Sequence, residues 1–402
     1  MGVSGGSALK MRGRLLTVVV VLALGSALVA GCAQGKRGAS DGTSAKPYRI
    51  GAVLSLTGTY AGLGTPEQNA IKLEAARINA AGGINGRLIE VFYEDDGTDP
   101  AKAVAAAARL IEQEDVLAII GATGTGQTMA IRSEIARAGV PQVSMAGGSV
   151  VTDDFDPLVF QTPWPNRIVV PFTLKALKAR GLTKIALISD TSGYGTDGHD
   201  IIVKEAAAAG IEVVAEQTLN PGDTDMTAQL TKIKGAAPDA ILMWNAGKEA
   251  AIVAKNMQQL GMKTPLVGSP GNGRKEFIEG AGAAAEGFRF AAGKVLVPAA
   301  YGTDSEPYKV ANDFITRYTK AYGTPPDIFA GHAYDAFLVV VDALGRVEGD
   351  VTPGSLRDAI EKTSGLVGIG GTFSYSATDH NGLTMEELVL YRVADKTWVL
   401  DQ

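Results

Sequence analysis

From Tyr48 onward, short runs rich in Val, Ile and Leu alternate with Ala-rich segments of helical length, and this alternation restricts the chain to parallel sheets covered by helices on both faces. Strands are predicted over residues 49–54, 88–93, 117–120 and 141–144. Between them, residues 65–80, 100–112 and 127–138 place apolar side chains near i, i+3 and i+4 and end at Gly or a turn, as amphipathic helices do. The segment Val159-Phe160-Gln161-Thr162-Pro163-Trp164-Pro165 interrupts the rhythm with two prolines. A second series follows, with helices over 167–180, 195–209, 225–234 and 248–260 and strands over 184–189, 212–217 and 240–244. Past Phe290 the pattern changes to helices over 306–322, 327–344 and 353–363, then strands near 371–375 and 387–399. No third βα series appears. The chain is therefore expected to return and complete a first lobe, 48–162 plus 292–378, and to cross again near 376–382 to complete a second, 163–291 plus 379–402. Two doubly wound lobes joined by a multi-crossing hinge leave a cleft between them, a natural seat for a small ligand.

The N-terminal region reads differently. Lys10, Arg12 and Arg14 precede an apolar run over 15–28 that is short for a bilayer span, and small residues follow it, which together predict a secretory signal over 1–31. Its ending, Leu28-Val29-Ala30-Gly31-Cys32, resembles the bacterial lipobox, in which the cysteine becomes the lipid-bearing first residue of the mature chain. Cys32 is thus the expected lipidation site and 32–47 a flexible tether, placing the protein at the outer face of the cell membrane or in the periplasm. Cys32 is also the single cysteine, so disulfides, thiol catalysis and Cys-based metal sites are excluded. Hydrophobic residues at 46% and charged residues at 20% provide for a sizeable core in a chain of 402 residues. A net charge of -6, with nothing more basic after Arg14 than pairs such as Lys36-Arg37, argues against nucleic acid as a partner. His199, His332 and His380 are far apart and lack the His-Glu-x-x-His spacing, so neither a metal nor another cofactor is expected, and each reads as a surface or capping residue.

Candidate chemistry gathers at strand ends. Gly121-Ala122-Thr123-Gly124-Thr125-Gly126-Gln127-Thr128 follows a predicted strand and opens a predicted helix, one residue short of a P-loop and with Gln127 where the phosphate-binding lysine belongs. Close backbone approach at glycine, free first-turn N–H groups and threonine hydroxyls suit one carboxylate, with Thr125 and Gly126 as candidates. The alternative is a glycine-rich turn with threonine caps. Ser144-Met145-Ala146-Gly147-Gly148-Ser149 follows the next strand and shares its carboxyl edge, adding Ala146, Gly147, Gly148 and Ser149 to the candidate site. On the opposite wall Asp190-Thr191-Ser192-Gly193-Tyr194-Gly195 presents Tyr194, and Trp244, Asn245 and Pro270 stand at the ends of two later strands. A lone Trp or Tyr is more often core, but Tyr194 sits between glycines where packing does not require it. No Gly-x-Ser-x-Gly elbow occurs, and the pairs Asp95-Asp96 and Asp153-Asp154 read as solvated loop and cap residues, so the chain is not expected to be an enzyme.

The stretches Ile50-Gly51-Ala52-Val53-Leu54-Ser55-Leu56-Thr57-Gly58, Asn79-Ala80-Ala81-Gly82-Gly83-Ile84-Asn85-Gly86, Tyr93-Glu94-Asp95-Asp96, Ser192-Gly193-Tyr194-Gly195 and Leu260-Gly261-Met262-Lys263-Thr264-Pro265 resemble the leucine/isoleucine/valine-binding solute receptors of bacterial ABC importers. The resemblance extends over 48–402 and implies a type I periplasmic-binding fold that closes on its ligand and delivers it to a membrane permease. It also implies that Thr125 and the backbone of Ala146, Gly147 and Gly148 hold the ligand carboxylate while Tyr194 closes over it. Two departures stand out. Amino-acid binders of this family place an acid for the ligand ammonium in the turn after the Lys-Thr-Pro strand, where this chain has Gly268-Ser269-Pro270-Gly271. Gly148 replaces an expected hydroxyl, with Ser149 beside it. An unpaired ammonium in a closed cleft costs several kcal/mol. The expected ligand is a small carboxylate, either a branched-chain or related amino acid, with Glu249 as a substitute acid, or an aromatic or aliphatic acid without an amine. The alternative on the same fold is an extracytoplasmic sensing module for an amide or amino acid.

Overall fold

The computed structural model describes residues 46–401; the predicted signal, Cys32 and nearly all of the tether lie outside them. Five strands, β1 (Tyr48–Leu54), β2 (Ile89–Asp95), β3 (Ala118–Gly121), β4 (Gln142–Ser144) and β5 (Val159–Gln161), form an all-parallel sheet in the order β2-β1-β3-β4-β5. Next come β6 (Lys184–Asp190), β7 (Glu212–Leu219), β8 (Ala240–Trp244), β9 (Leu266–Gly268) and β10 (Arg289–Ala292). A short antiparallel pair, β11 (Leu366–Val367) with β12 (Thr372–Phe373), precedes β13 (Val389–Ala394) and β14 (Thr397–Leu400). The second sheet runs β14-β13-β10-β9-β8-β6-β7, parallel except where β13 and β14 join it.

Central strands are nearly continuous apolar runs because helices bury both their faces. All of β3 and β8 is buried, and in β1 only Arg49 keeps partial exposure. The edge strand β7 alternates exposed and covered residues. Helix starts are fixed by side-chain caps: Asp99 accepts from the N–H groups of Ala101 and Lys102 ahead of helix Pro100–Glu112, and Asp327 from Phe329 and Ala330 ahead of helix Ile328–Arg346. The predicted helix over 127–138 is two helices, Thr125–Ala130 and Arg132–Ala138, joined at Ile131, whose side chain is wholly buried at the break. The predicted strand over 387–399 is instead the β13-β14 hairpin, because Asp395 and Lys396 both take positive φ, the backbone of a two-residue turn.

Three stretches connect the sheets: 162–165 after β5, the segment following β10, and the run between β12 and β13. After β10 the chain returns to the first sheet, where helix Ile328–Arg346 packs on helix Ala61–Ala80 and behind β3 and β4. On the second sheet Phe290 of β10 stacks on Tyr391 of β13 with ring centroids 5.1 Å apart, and Trp398 packs edge-on against Phe290 at 4.9 Å. Tyr391 donates to the Gly293 carbonyl at 2.6 Å, which fixes the second connection where it leaves the sheet.

Trp244 at the end of β8 is fully buried, and its Nε1 donates to Asn166 Oδ1 at 3.0 Å. Gly198 on helix Gly193–Ala206 lies against the indole, where a Cβ would fall 2.0 Å from Cδ1. Gly198→Ala is therefore expected to destabilise the fold by about 1–3 kcal/mol through overpacking, read as a lower midpoint in urea unfolding. Gly235→Ala, with open space at its Cβ, serves as the control and should be neutral or slightly stabilising.

Candidate functional site

An enclosed cavity of about 50 Å³ lies where the carboxyl ends of the two sheets face each other. That is room for a few water-sized groups. The first sheet contributes Thr123, Gly124 and Thr125 after β3, Met145 and Gly147 after β4, and Trp164 from the first connection. Tyr60 and Leu63, from the exit of β1 and the helix it enters, complete that side. From the second sheet come Tyr194 after β6, Ala246 after β8, Pro270 after β9 and Gly293 after β10. Helix Ile328–Arg346 closes the cavity with Ile328, Phe329 and His332.

The walls are apolar and aromatic except at one pole. There Thr125 Oγ1 accepts from the Gly148 N–H at 3.2 Å and Thr123 Oγ1 accepts from the Ser55 N–H at 3.0 Å. The Thr125 hydroxyl, which only accepts from the backbone, keeps its own proton to give elsewhere, whereas the Thr123 hydroxyl also lies within hydrogen-bond distance of Glu67 behind the wall. Among the described residues that line the cavity none is Asp, Glu, Lys or Arg. Glu249 is fully buried behind the wall, with Oε1 accepting from the Gly222 N–H at 2.7 Å and Oε2 from Asn245 Nδ2 at 3.1 Å. Asp190 also lies off the wall: Oδ1 accepts from the Ser192 N–H at 3.1 Å, and burial pushes its carboxyl up to about 6. Neither acid lines the cavity.

The two walls are tied together beside the pole. Asp197, on helix Gly193–Ala206, accepts from the N–H groups of Ser149 at 2.8 Å and Val150 at 3.2 Å across the cleft, and from Asn166 Nδ2 at 2.7 Å. Asn166 holds Trp244, whose ring lies under Tyr194 at 6.4 Å. Gly147 approaches Tyr194 closely, a Cβ there falling 3.0 Å from Cε2.

Residues 47–397 are matched by the model of a family described as periplasmic binding protein. The chain belongs to that family. Its fold is the type I periplasmic-binding fold expected from the sequence. The protein is 25% identical over 334 residues to a Leu/Ile/Val-binding protein homologue of Brucella melitensis, covering 82% of this chain and 87% of that one. It is 26% identical to a leucine-, isoleucine-, valine-, threonine- and alanine-binding protein of Pseudomonas aeruginosa, covering 80% and 84%. Among solved structures, an extracellular ligand-binding receptor from Rhodopseudomonas palustris superposes with a TM-score of 0.83 at 26% identity, covering 88% of this chain and 99% of that one. The branched-chain amino acid transporter substrate-binding protein LivJ of Streptococcus pneumoniae, in complex with isoleucine, gives 0.78 at 27% identity, covering 88% and 100%. Family membership implies an extracytoplasmic location.

Within this periplasmic binding protein, Thr125, Gly147, Tyr194 and Pro270 stand on the cavity wall. The other candidates stand behind it. Gly126, Ala146 and Gly148 carry the backbone of the pole, and Ser149 gives its hydroxyl oxygen to the Arg167 N–H at 2.7 Å and its own N–H to Asp197. Trp244 is core beneath Tyr194, and Asn245 is spent on Glu249, Gly247 and Asn272. Tyr60, Trp164 and His332 were not singled out by the strand-end pattern. Tyr60 and Trp164 do follow β1 and β5, which is the signal that marks them, whereas His332 enters from a helix with no local signature. The expectation that every histidine is a surface or capping residue is corrected: His332 lines the cavity, and His380 is buried, stacked on Phe160 at 4.0 Å. Asp96 is likewise wholly buried rather than solvated, because Ser55 Oγ donates to it at 2.6 Å.

His332 Nδ1 has no hydrogen-bond partner, and the ring lines the cavity. Burial lowers its pKa from 6.5 to about 4. The unfolded chain then takes up a proton that the folded one refuses, so this group's stability contribution is intact above pH 6.5 and is lost as pH falls toward about 4. His332→Gln is expected to flatten the acid limb of the stability profile by up to about 3 kcal/mol relative to the parent, measured by denaturant unfolding across that window. Parallel profiles for the two proteins would show that His332 does not titrate in this way.

Proposed function

We propose that this protein is the lipid-anchored solute receptor of an ABC importer, and that it captures a small carboxylate carrying no ammonium group. The observation that carries the ligand reading is the pairing of a hydroxyl pole, Thr123 and Thr125, with walls that hold no acid. The pole offers donors to a carboxylate, and the space beyond it is bounded by Trp164, Tyr194, Tyr60 and Phe329, whose rings suit an aromatic or branched aliphatic body; a ligand of that size requires the walls to part, since the cavity of about 50 Å³ holds only a few water-sized groups. An ammonium in the same cavity meets no carboxylate and costs several kcal/mol. The names of the Brucella and Pseudomonas relatives favour a second reading, a branched-chain amino acid, which requires its ammonium to be held by backbone carbonyls and the Tyr60 hydroxyl. Cys32 supports the anchor through the lipobox-like sequence before it, and the transporter partnership follows the LivJ relative.

Thermal unfolding of the body from residue 46 onward, with benzoate, 4-methylpentanoate and 2-oxo-4-methylpentanoate set against phenylalanine and leucine, separates the two readings. Ligand at several hundred times its dissociation constant adds about 3–4 kcal/mol and raises the midpoint. The amine-free acids are expected to raise it and the amino acids to leave it unmoved; the reverse order would establish the amino-acid reading. Thr125→Val should weaken binding of the active acid by roughly 10- to 100-fold, the loss of one hydrogen bond to a charged group, and should also lower the unliganded stability by about 1–3 kcal/mol, because it strands the buried Gly148 N–H.

A further inference from the structure

Behind the hydroxyl pole stands a carboxyl group that ligand capture, as described so far, does not use. Glu67, on helix Ala61–Ala80, is wholly buried. Its Oε2 lies 2.5 Å from Thr123 Oγ1, and its Oε1 has no partner. The charged groups that bear on it are both acids: Asp96 from the loop after β2, and Asp327 at the start of helix Ile328–Arg346. Asp96 is already committed as an acceptor, its Oδ1 taking Ser55 Oγ at 2.6 Å and the Thr98 N–H at 2.7 Å. Burial, against the opposing effect of the Thr123 hydrogen bond and with the help of these neighbours, pushes the Glu67 carboxyl well above the usual carboxylate range.

Thr123 Oγ1 has one proton and two lone pairs, and one lone pair is occupied by the Ser55 N–H. Its hydrogen bond to Glu67 then runs in one of two directions. With Glu67 ionised, the threonine proton must point back at the carboxylate, and the cavity meets an oxygen lone pair with a buried negative charge behind it. With Glu67 neutral, the acid proton is donated to Oγ1, both lone pairs are filled, and the threonine proton turns toward the cavity. Only the second arrangement receives an anion. We infer that Glu67 is a positioning residue held as a neutral acid, which donates to Thr123 and thereby makes the Thr123 hydroxyl a donor to the ligand carboxylate. This rests on the carboxylate-capture reading. Binding of an anion further disfavours ionisation of Glu67, so affinity is highest where Glu67 is neutral and is lost as pH rises through its folded pKa.

Isothermal titration with benzoate, from neutral into alkaline pH, tests the coupling in the parent, Glu67→Gln and Glu67→Leu. The glutamine amide donates to Thr123 as the neutral acid does, so Glu67→Gln should bind within about threefold of the parent at neutral pH and lose the alkaline fall in affinity. Glu67→Leu neither holds the threonine proton back nor fixes its direction, and should bind more weakly than Glu67→Gln, by up to roughly tenfold, again without an alkaline fall. An alkaline fall that persists unchanged in Glu67→Gln overturns the inference. Carbon-13 NMR of the glutamate side chains in the ligand-free protein, with Glu67 assigned by its absence in the Gln variant, gives an independent reading. A protonated carboxyl at neutral pH is expected, and an ionised one overturns the inference whatever the ligand. If benzoate binds the parent at no pH, the carboxylate reading and the donor role fall together, while the NMR result still decides the state of Glu67.

Discussion

Everything at the cleft depends on one acceptor. The Asp197 carboxylate takes two backbone N–H groups from the first sheet's side and the Asn166 amide from its own, and the bonds from the Asn166 N–H to the Gly147 carbonyl and from the Arg167 N–H to Ser149 Oγ run alongside it, so the distance between the walls is set around this one buried acid. Hydrogen bonds to a charged acceptor are the stronger kind, and leaving such a group unpaired in the interior is costly. The consequences pass along the chain of contacts. Asn166 orients the Trp244 indole, Gly198 leaves space for it, and Tyr194 stacks above it to face Gly147 across the cavity. The ring that faces the cavity is therefore aimed by residues that do not line it.

The same economy explains the chemistry of the pole. The acids behind the walls have structural partners: Asp197 bridges the walls, Asp190 Oδ1 holds the start of the Tyr194 helix through Ser192, and Glu249 binds the Gly222 N–H and Asn245, while Asp190 Oδ2 and Glu67 Oε1 have none. What reaches the cavity is a pair of threonine hydroxyls, each accepting from backbone, set against aromatic walls. In the function proposed, anion recognition uses oriented neutral dipoles, which avoids burying a fixed cation in a low-dielectric space. It also makes the protonation of the layer behind, Glu67, a condition for the pole to work.

Much of this was legible in the sequence because it follows from strand order. Apolar runs separated by Ala-rich helices specify parallel sheets, and the rule that ligands sit beyond strand carboxyl ends finds Thr125, Gly147, Tyr194 and Pro270 without coordinates. Three kinds of feature escaped it. His332 enters the cavity from a helix that lies more than two hundred residues after β3, and nothing local marks it. The roles of Ser149, Trp244 and Asn245 depend on long-range partners, Asp197, Asn166 and Asn272, so proximity to a strand end placed them near the site but not on its wall. Asp96 and Glu67 look like ordinary polar positions on a loop and a helix, and only the packing of Ser55 and Thr123 over them shows that they are buried.

The most direct test is a crystal structure of the protein with benzoate bound. The carboxylate is expected within hydrogen-bond distance of the Thr125 and Thr123 hydroxyls, with the ring between Trp164, Tyr194 and Phe329 and no acid in contact with the ligand. A carboxylate directed away from the two threonines, or a ligand seated outside this cavity, would contradict the hydroxyl pole as the anion site.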